Sequence, residues 1–241
     1  MSCKPTHAMV LAAGLGLRMR PITETRPKPL VRVGGRTMLD RALDHLDKAG
    51  VTHKVVNTHW LPDQIAAHLA HRADITLSPE DVLLETGGGV TKALALLGSA
   101  PFYVVNSDII WTDGGTESAL HRLAQAWDDE NMDALLLMSR TATALGYDGD
   151  GDFFLSTDGV PTRRGARQVA PLLFSGVQIL SPRLFAEAPS GKFSLNVLYD
   201  RALEAGRLFG LVHDGGWYHV GTPQALPVVE QALLAEKQDN P

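Results

Sequence analysis

Two cations and one carboxylate stand out in this sequence as groups that could do chemistry. Arg18 follows two glycines in Gly14-Leu15-Gly16-Leu17-Arg18-Met19, and Lys28 is flanked by prolines in Pro27-Lys28-Pro29. Asp108 closes the run Phe102-Tyr103-Val104-Val105-Asn106-Ser107-Asp108. Glycines let backbone N–H groups approach oxyanions and fixed cations neutralise them, so the first stretch suits a phosphate group. A carboxylate at a strand end is a natural Mg²⁺ ligand, because that ion takes a few carboxylates together with phosphate oxygens and water. Most Arg and Lys side chains are simply solvated, and Arg20, Arg26, Arg32 and Arg36 are read as solvated or auxiliary. The prolines fix the backbone of Lys28 and set it apart. For Asp108 the competing role is a turn or helix cap.

Positioning these groups requires strands that end together. Met9-Val10-Leu11-Ala12-Ala13 is an apolar run of buried-strand type, leading straight into the glycine turn. Residues 1–6 read as a ragged leader, and Leu30 to Val33 as a short apolar segment. Thr37 is placed to cap a helix from Met38 to Ala49, with Leu39, Ala42, Leu43 and Leu46 at helical spacing and Gly50 as its stop. A strand over His53 to Asn57, a helix opening at Pro62-Asp63 and a strand at Ile75 to Leu77 follow. A glycine loop, Leu84-Glu85-Thr86-Gly87-Gly88-Gly89, precedes a helix from Val90 to Leu97, then the strand Phe102 to Asn106. A helix from Glu117 to Trp127 and a strand from Ala134 to Met138 continue the alternation. Such alternation predicts an α/β fold with a mostly parallel sheet covered on both sides, whose ligands bind at the carboxyl ends of the strands. The Gly14 turn and Asp108 would both lie there.

Between Ala142 and Arg167 the pattern gives way to turns and short hairpins. Asp148-Gly149-Asp150-Gly151-Asp152 superficially resembles a calcium loop, but it lacks the spacing and terminal Glu of one. A strand over Leu173 to Leu180, a helix from Leu195 to Ala205, a strand from Arg207 to His213 and a closing helix from Gln224 to Lys237 complete the chain. One domain over residues 1–241 is expected, with 142–180 as its smaller insertion.

The 241 residues are 44% hydrophobic and 20% charged, with a net charge of −5, which is ordinary for a globular protein and wrong for coating nucleic acid or an anionic membrane. A few local cations still suffice for a phosphate ligand. The single Cys3 permits neither an internal disulfide nor a cysteine metal site. No run long enough for a membrane helix and no signal peptide is visible, so a cytoplasmic protein without nucleic-acid or membrane partners is expected. A dinucleotide fold would want a third glycine where Met19 stands, and no Walker pattern occurs.

The ensemble of Gly14-x-Gly16-x-Arg18-Met19 with Pro27-Lys28-Pro29 resembles the signature of the sugar-phosphate nucleotidyltransferases. These enzymes join a nucleoside triphosphate to a sugar 1-phosphate and release pyrophosphate. The likeness continues through Glu85-Thr86-Gly87-Gly88-Gly89, Asn106-Ser107-Asp108, Phe174-Ser175-Gly176-Val177 and Trp217-x-His219-x-Gly221-Thr222-Pro223. It implies a three-layer Rossmann-like fold with a sugar-binding insertion. It also implies in-line attack on the α-phosphorus, where catalysis is mostly charge neutralisation and alignment.

Under that resemblance Arg18 would hold the leaving β- and γ-phosphates, and Lys28 would sit near the α-phosphate and the incoming phosphate. Asp108 would carry Mg²⁺. Leu11, Ala12, Ala13, Gly14, Gly16 and Gly88 would border the nucleotide. Glu80 stands where the family usually keeps a base-reading Gln or Glu. Asn106, Gly151, Gly176 and Asn196 would face the sugar phosphate, Asn196 serving equally well as a helix cap.

Two features depart from the family pattern. His219 replaces an Asp that usually completes the metal site, and imidazole suits Mn²⁺, Co²⁺ or Zn²⁺ better than Mg²⁺. Three roles stay open: binding a softer metal, leaving Mg²⁺ to Asp108 and the substrate phosphates, or touching a phosphate directly. The family's Glu-Lys pair for the sugar phosphate is missing, with Arg163, Arg164 and Arg167 nearby. Within the family the chain looks most like the N-acetylmuramate-1-phosphate uridylyltransferases of cell-wall recycling, and short mannose-1-phosphate guanylyltransferases share much of the pattern. A nucleotide-binding sensor weakened by His219 is the alternative outside catalysis. Whether the protein is a monomer or a homodimer stays open.

Overall fold

The computed structural model describes residues 4–166 and 168–239. Strand β1 (His7–Leu11) leads into the four-residue helix α1 (Ile22–Thr25) through the glycine turn, and the small strands β2 (Arg32–Val33) and β3 (Arg36–Thr37) form a hairpin. Helix α2 (Met38–Lys48) starts where Thr37 accepts a hydrogen bond from the Asp40 N–H at 3.0 Å, as the sequence predicts. Then come β4 (His53–Thr58), α3 (Pro62–Leu69), β5 (Ile75–Pro79), α4 (Glu85–Leu97), β6 (Phe102–Asn106), β7 (Ile109–Trp111) and α5 (Ala119–Ala126). The second half holds β8 (Ala134–Arg140), β9 (Phe153–Leu155), β10 (Pro161–Arg163), β11 (Leu172–Leu180), α6 (Asn196–Glu204), β12 (Leu208–Val212), β13 (Trp217–His219) and α7 (Ala225–Asp239).

The centre of the main sheet is parallel, β6-β1-β4-β5, so the carboxyl ends of these strands share one edge. Leu11 lies opposite Asn106 in the register, which sets the glycine turn beside Asp108. Helix-forming segments cover both faces. One apolar cluster gathers Leu39, Leu43, Ile65 and Leu120 against Val10, Val56 and Val105, and another gathers Val90, Leu97 and Leu198 against Met9, Val55 and Val104. Alternate residues of the same strands thus feed opposite layers, and each such side chain removed from water contributes about 1.5–3 kcal/mol.

Simple alternation fails on the other side of the sheet. The nine-residue β11 runs antiparallel between β6 and β8, and β12 then pairs with β8 in parallel. The hairpin of β9 and β10 extends from β11. The chain of β11 is apolar almost throughout and buried on both faces, so it competes successfully for the central place beside β6. Hairpin structure within 142–167 agrees with the turn-rich sequence there. The leader residues 1–3, including Cys3, and Arg167 lie outside the described residues.

Near the site edge, β7 pairs with β13 in a separate ribbon. Two imidazoles brace it: half-buried His45 stacks on Trp111 at 4.0 Å, and buried His213 lies with its Nε2 3.2 Å from the Gly216 carbonyl. Burial holds the pKa of both below the ordinary histidine value, against weaker opposing pulls from Asp113 and neighbouring carbonyls. Each binds a proton more readily unfolded than folded. Their stabilisation is therefore complete above the unfolded value near about 6.5 and declines as pH falls through the lower folded value. The thermal midpoint should drop between pH 7 and pH 5, by less in a His213→Gln variant. A midpoint flat across that window would contradict this account.

Candidate active site

The glycine turn is built by Gly16, Thr23 and Met19. Gly16 takes a left-handed backbone, φ +62°, and a Cβ there would lie 3.0 Å from Thr23 Cγ2. The Thr23 hydroxyl donates to the Gly16 carbonyl at 2.8 Å, closing the turn. Met19 is fully buried among Val31, Val33, Ile110 and Val220, which anchors the short helical turn Leu17–Met19 and leaves Arg18 facing solvent. The Arg-Met pair thus divides its labour: the methionine packs and the arginine projects.

Lys28 opens a second helical turn, Lys28–Leu30, after Pro27, and it is buried. Its Nζ donates to Asp108 Oδ2 at 2.9 Å. Asp108 follows β6 in a segment tied to β1, since the Ser107 hydroxyl donates to the Leu11 carbonyl at 2.6 Å. Burial pushes the Asp108 carboxyl up, but the charge and hydrogen bond of Lys28, with help from His219, hold it on balance below the usual carboxylate range. It is a carboxylate at neutral pH.

These residues border two adjoining hollows. The larger, about 380 Å³, lies over the ends of β1, β4 and β6 and is lined by Leu11, Ala12, Ala13, Gly14, Lys28, Asn57, Asn106 and Asp108. Its far side is formed by Leu83, Glu85, Thr86 and Ser194. The smaller one is lined by Gly14, Gly16, Arg18, Lys28, Asp108 and Gly221. Lys28 and Asp108 belong to both, so a ligand filling the two would pass over them. Volumes of this size are typical of small-molecule sites.

His219 arrives on β13, opposite Ile109 in the ladder and hence next to Asp108 along the edge. Its Nδ1 lies 3.3 Å from the Gly146 carbonyl, which directs Nε2 outward. Its ring leaves no room for a side chain at Gly221, where a Cβ would lie 2.6 Å from His219 Cε1. Burial lowers the His219 pKa, opposed by Asp108 and reinforced by Lys28 and Arg18. The imidazole is therefore biased toward its neutral, ligand-competent form.

Several expected contacts look different in three dimensions. Gly87, Gly88 and Gly89 are not a loop; they form the first turns of α4, which begins at Glu85. A Cβ on Gly88 would lie 2.2 Å from the Gly191 carbonyl oxygen, so that glycine serves helix packing and lies outside the cavity lining. The cavity residue with a glycine-like backbone is instead Glu85, at φ +61°. Glu80 is buried behind the wall. Its Oε1 accepts from Asn57 Nδ2 at 2.7 Å and its Oε2 from the Leu84 N–H at 2.9 Å. Asn57 in turn accepts from the Ala12 N–H at 2.7 Å, so Glu80 reaches the cavity through Asn57.

On the sugar side, Arg163 is engaged by Asp200 at 2.6 Å and by Asn196 at 3.2 Å, and Arg164 by the carbonyls of Gly151 at 2.9 Å and Gln168 at 3.1 Å. Asn196 begins α6 and its amide oxygen accepts from Arg163, outside the cavity lining. Gly176 sits at the irregular point of β11 against Asn106, and Gly151 beside the Ala170 carbonyl; neither lines the cavity itself.

Asn57 is a further cavity residue, and its sequence signal is the one that Asn106 carries. Val55-Val56-Asn57 lies one residue short of the end of β4, as Val104-Val105-Asn106 closes β6, and both asparagines line the cavity. Glu85 and Thr86 open the second glycine motif, whereas Ser194 had no comparable signal because it reaches them only through folding.

Comparison with known proteins now bears on this edge. Residues 8–175 match the MobA-like NTP transferase domain, which is more than half of the chain. The chain belongs to the MobA-like NTP transferase family. It is 45% identical over 98% of its length, and the whole of the relative, to an N-acetylmuramate alpha-1-phosphate uridylyltransferase of Caulobacter vibrioides. A protein of the same description from Neisseria meningitidis is 38% identical over 89% of this chain and 93% of its own. HddC from Yersinia pseudotuberculosis, solved with GMP-PN, has the same fold: the TM-score is 0.77 at 21% identity, covering 94% of this chain and 99% of that one. The chain is thus a nucleotidyltransferase with the Rossmann-like fold of nucleotide-sugar pyrophosphorylases. No helix among the described residues is long and apolar enough to cross a membrane.

Proposed function

We propose that this protein transfers UMP from UTP to N-acetylmuramate 1-phosphate, giving UDP-N-acetylmuramate and pyrophosphate. The observation that carries the reaction class is the Lys28–Asp108 pair at 2.9 Å, which borders both of the adjoining hollows. The likeness to the two uridylyltransferases, over 98% and 89% of this chain, supports the choice of sugar and base.

Arg18, exposed on its anchored turn, holds the β- and γ-phosphates. The backbone of Ala12, Ala13 and Gly14 borders the nucleoside, with Asn57 fixed by Glu80 as a rigid wall. Lys28 neutralises the α-phosphate as the sugar phosphate oxygen approaches. The new bond forms to the α-phosphorus as the bond to the β-phosphate oxygen breaks, and the electron pair leaves with pyrophosphate.

The donor set fits a divalent ion only in part. Among the described residues no three His, Cys, Asp or Glu side chains cluster to hold one. Asp108 is ionised, with one oxygen engaged by Lys28, and His219 can offer Nε2, so the rest of a metal's shell would come from substrate phosphates and water. Such an ion supplies Lewis acidity and charge neutralisation when bound. Imidazole at this position favours Mn²⁺ or Co²⁺ over Mg²⁺. A His219→Asp variant should therefore raise the Mg²⁺-supported rate relative to the Mn²⁺-supported rate, measured side by side. An unchanged metal profile would remove His219 from the metal site.

Pyrophosphate release across nucleotides and sugar 1-phosphates tests the assignment. UTP with N-acetylmuramate 1-phosphate should be the fastest pair. The proposal fails if that pair is inert while GTP with mannose 1-phosphate turns over.

A further inference from the structure

Two of the cations expected to serve the sugar end, Arg163 and Arg164, are engaged elsewhere. Arg163 is locked to Asp200 and Asn196, with its guanidinium 5.0 Å over the Phe153 ring, and Arg164 is bound to the carbonyls of its own loop. A different cation, Lys192, is paired with a residue of the cavity wall. Lys192 Nζ lies 3.3 Å from Glu85 Oε1, and Glu85 lines the cavity facing Ser194, two residues along from Lys192.

The segment carrying Lys192 is held rigidly. The Phe193 carbonyl accepts from the Gly87 and Gly88 N–H groups, Phe193 N–H donates to the Leu84 carbonyl, and Leu195 N–H donates to Thr86 Oγ1 at 2.9 Å. Four hydrogen bonds thus dock it on the start of α4. Glu85 itself has a backbone that side chains rarely adopt, φ +61°, shared among the described non-glycine residues only by Leu61. Glycine would occupy that conformation freely, so a glutamate there points to a task for its carboxylate. Its partner on the page is Lys192.

We propose that Lys192, held by Glu85 of the cavity wall, is the counter-ion for a carboxylate on the sugar substrate. The inference rests on the reading of that substrate as N-acetylmuramate 1-phosphate, which differs from other N-acetylhexosamine phosphates by an acidic lactyl ether. An ammonium has three donors; the ion pair with Glu85 holds the group from one side at 3.3 Å and leaves donors for a second acceptor. Lys192 is the binding group and Glu85 a positioning residue.

The test compares N-acetylmuramate 1-phosphate with its lactyl amide, which keeps the shape and removes the charge. Wild-type protein should prefer the acid by about tenfold in kcat/KM, expressed mainly through KM. In Lys192→Met the preference should fall below about twofold, in Lys192→Arg it should largely return, and in Glu85→Gln it should be intermediate. A preference that persists in Lys192→Met overturns the proposal, as does equal loss of both substrates or a wild-type protein indifferent to the charge. A wild-type protein that turns over neither compound, yet uses another sugar phosphate, refutes the substrate reading itself.

Discussion

Lys28→Met should lower kcat by about 10²–10³-fold, the usual cost of removing one preorganised group that meets charge developing in a transition state. Methionine keeps most of the buried stem in place, so the loss should far exceed any fall in thermal midpoint. The side chain is buried and its ammonium is fixed 2.9 Å from Asp108, which is the preorganisation that the estimate assumes. The effect should appear in kcat more than in the KM for UTP, because Arg18 and the glycine turn retain the triphosphate. Steady-state pyrophosphate release measures both. A variant within threefold of wild type would show that Lys28 is a structural cation and that the transfer takes place elsewhere.

Asp108→Asn is expected to be more damaging still. The amide oxygen can accept from Lys28 much as the carboxylate does, so the local geometry should survive while the negative charge disappears. If charge stabilisation by a metal held there is worth about 4 kcal/mol, turnover falls by about 10³-fold. Higher metal concentration should not restore it, because the lost group is the ligand itself. The two variants also differ in kind. Losing Lys28 should leave the metal requirement intact, whereas losing Asp108 should flatten the response of rate to metal concentration. Turnover near wild type in Asp108→Asn would remove this residue from the metal site.

Much of this edge was legible in sequence because its residues are held by local rules. Gly16 must bend, Pro27 and Pro29 fix Lys28, and Asp108 ends an apolar strand; each of these is decided by residues a few positions away. The parallel centre was readable for the same reason, since alternating strands and helices leave few other arrangements. What was not legible depends on distant partners. Gly88 looked like a ligand-facing glycine because nothing nearby shows that Gly191 packs against it. Glu80 looked like a base reader because its partners, Asn57 and the Leu84 N–H, come from another strand and a later turn. The place of β11 between β6 and β8 follows from burial on both faces, which the sequence expresses only as a long apolar run. Arg163 and Arg164 were candidates by position alone, and their engagement with Asp200 and with loop carbonyls appears only after folding.

A crystal structure with Mn²⁺ and a non-hydrolysable UTP analogue tests the arrangement most directly. The metal's anomalous signal should lie within coordination distance of an Asp108 oxygen, with the α-phosphate beside Lys28 and the outer phosphates on the Gly14–Arg18 turn. A metal bound only at Asp148–Asp152, or a triphosphate lying clear of Lys28, would contradict the account.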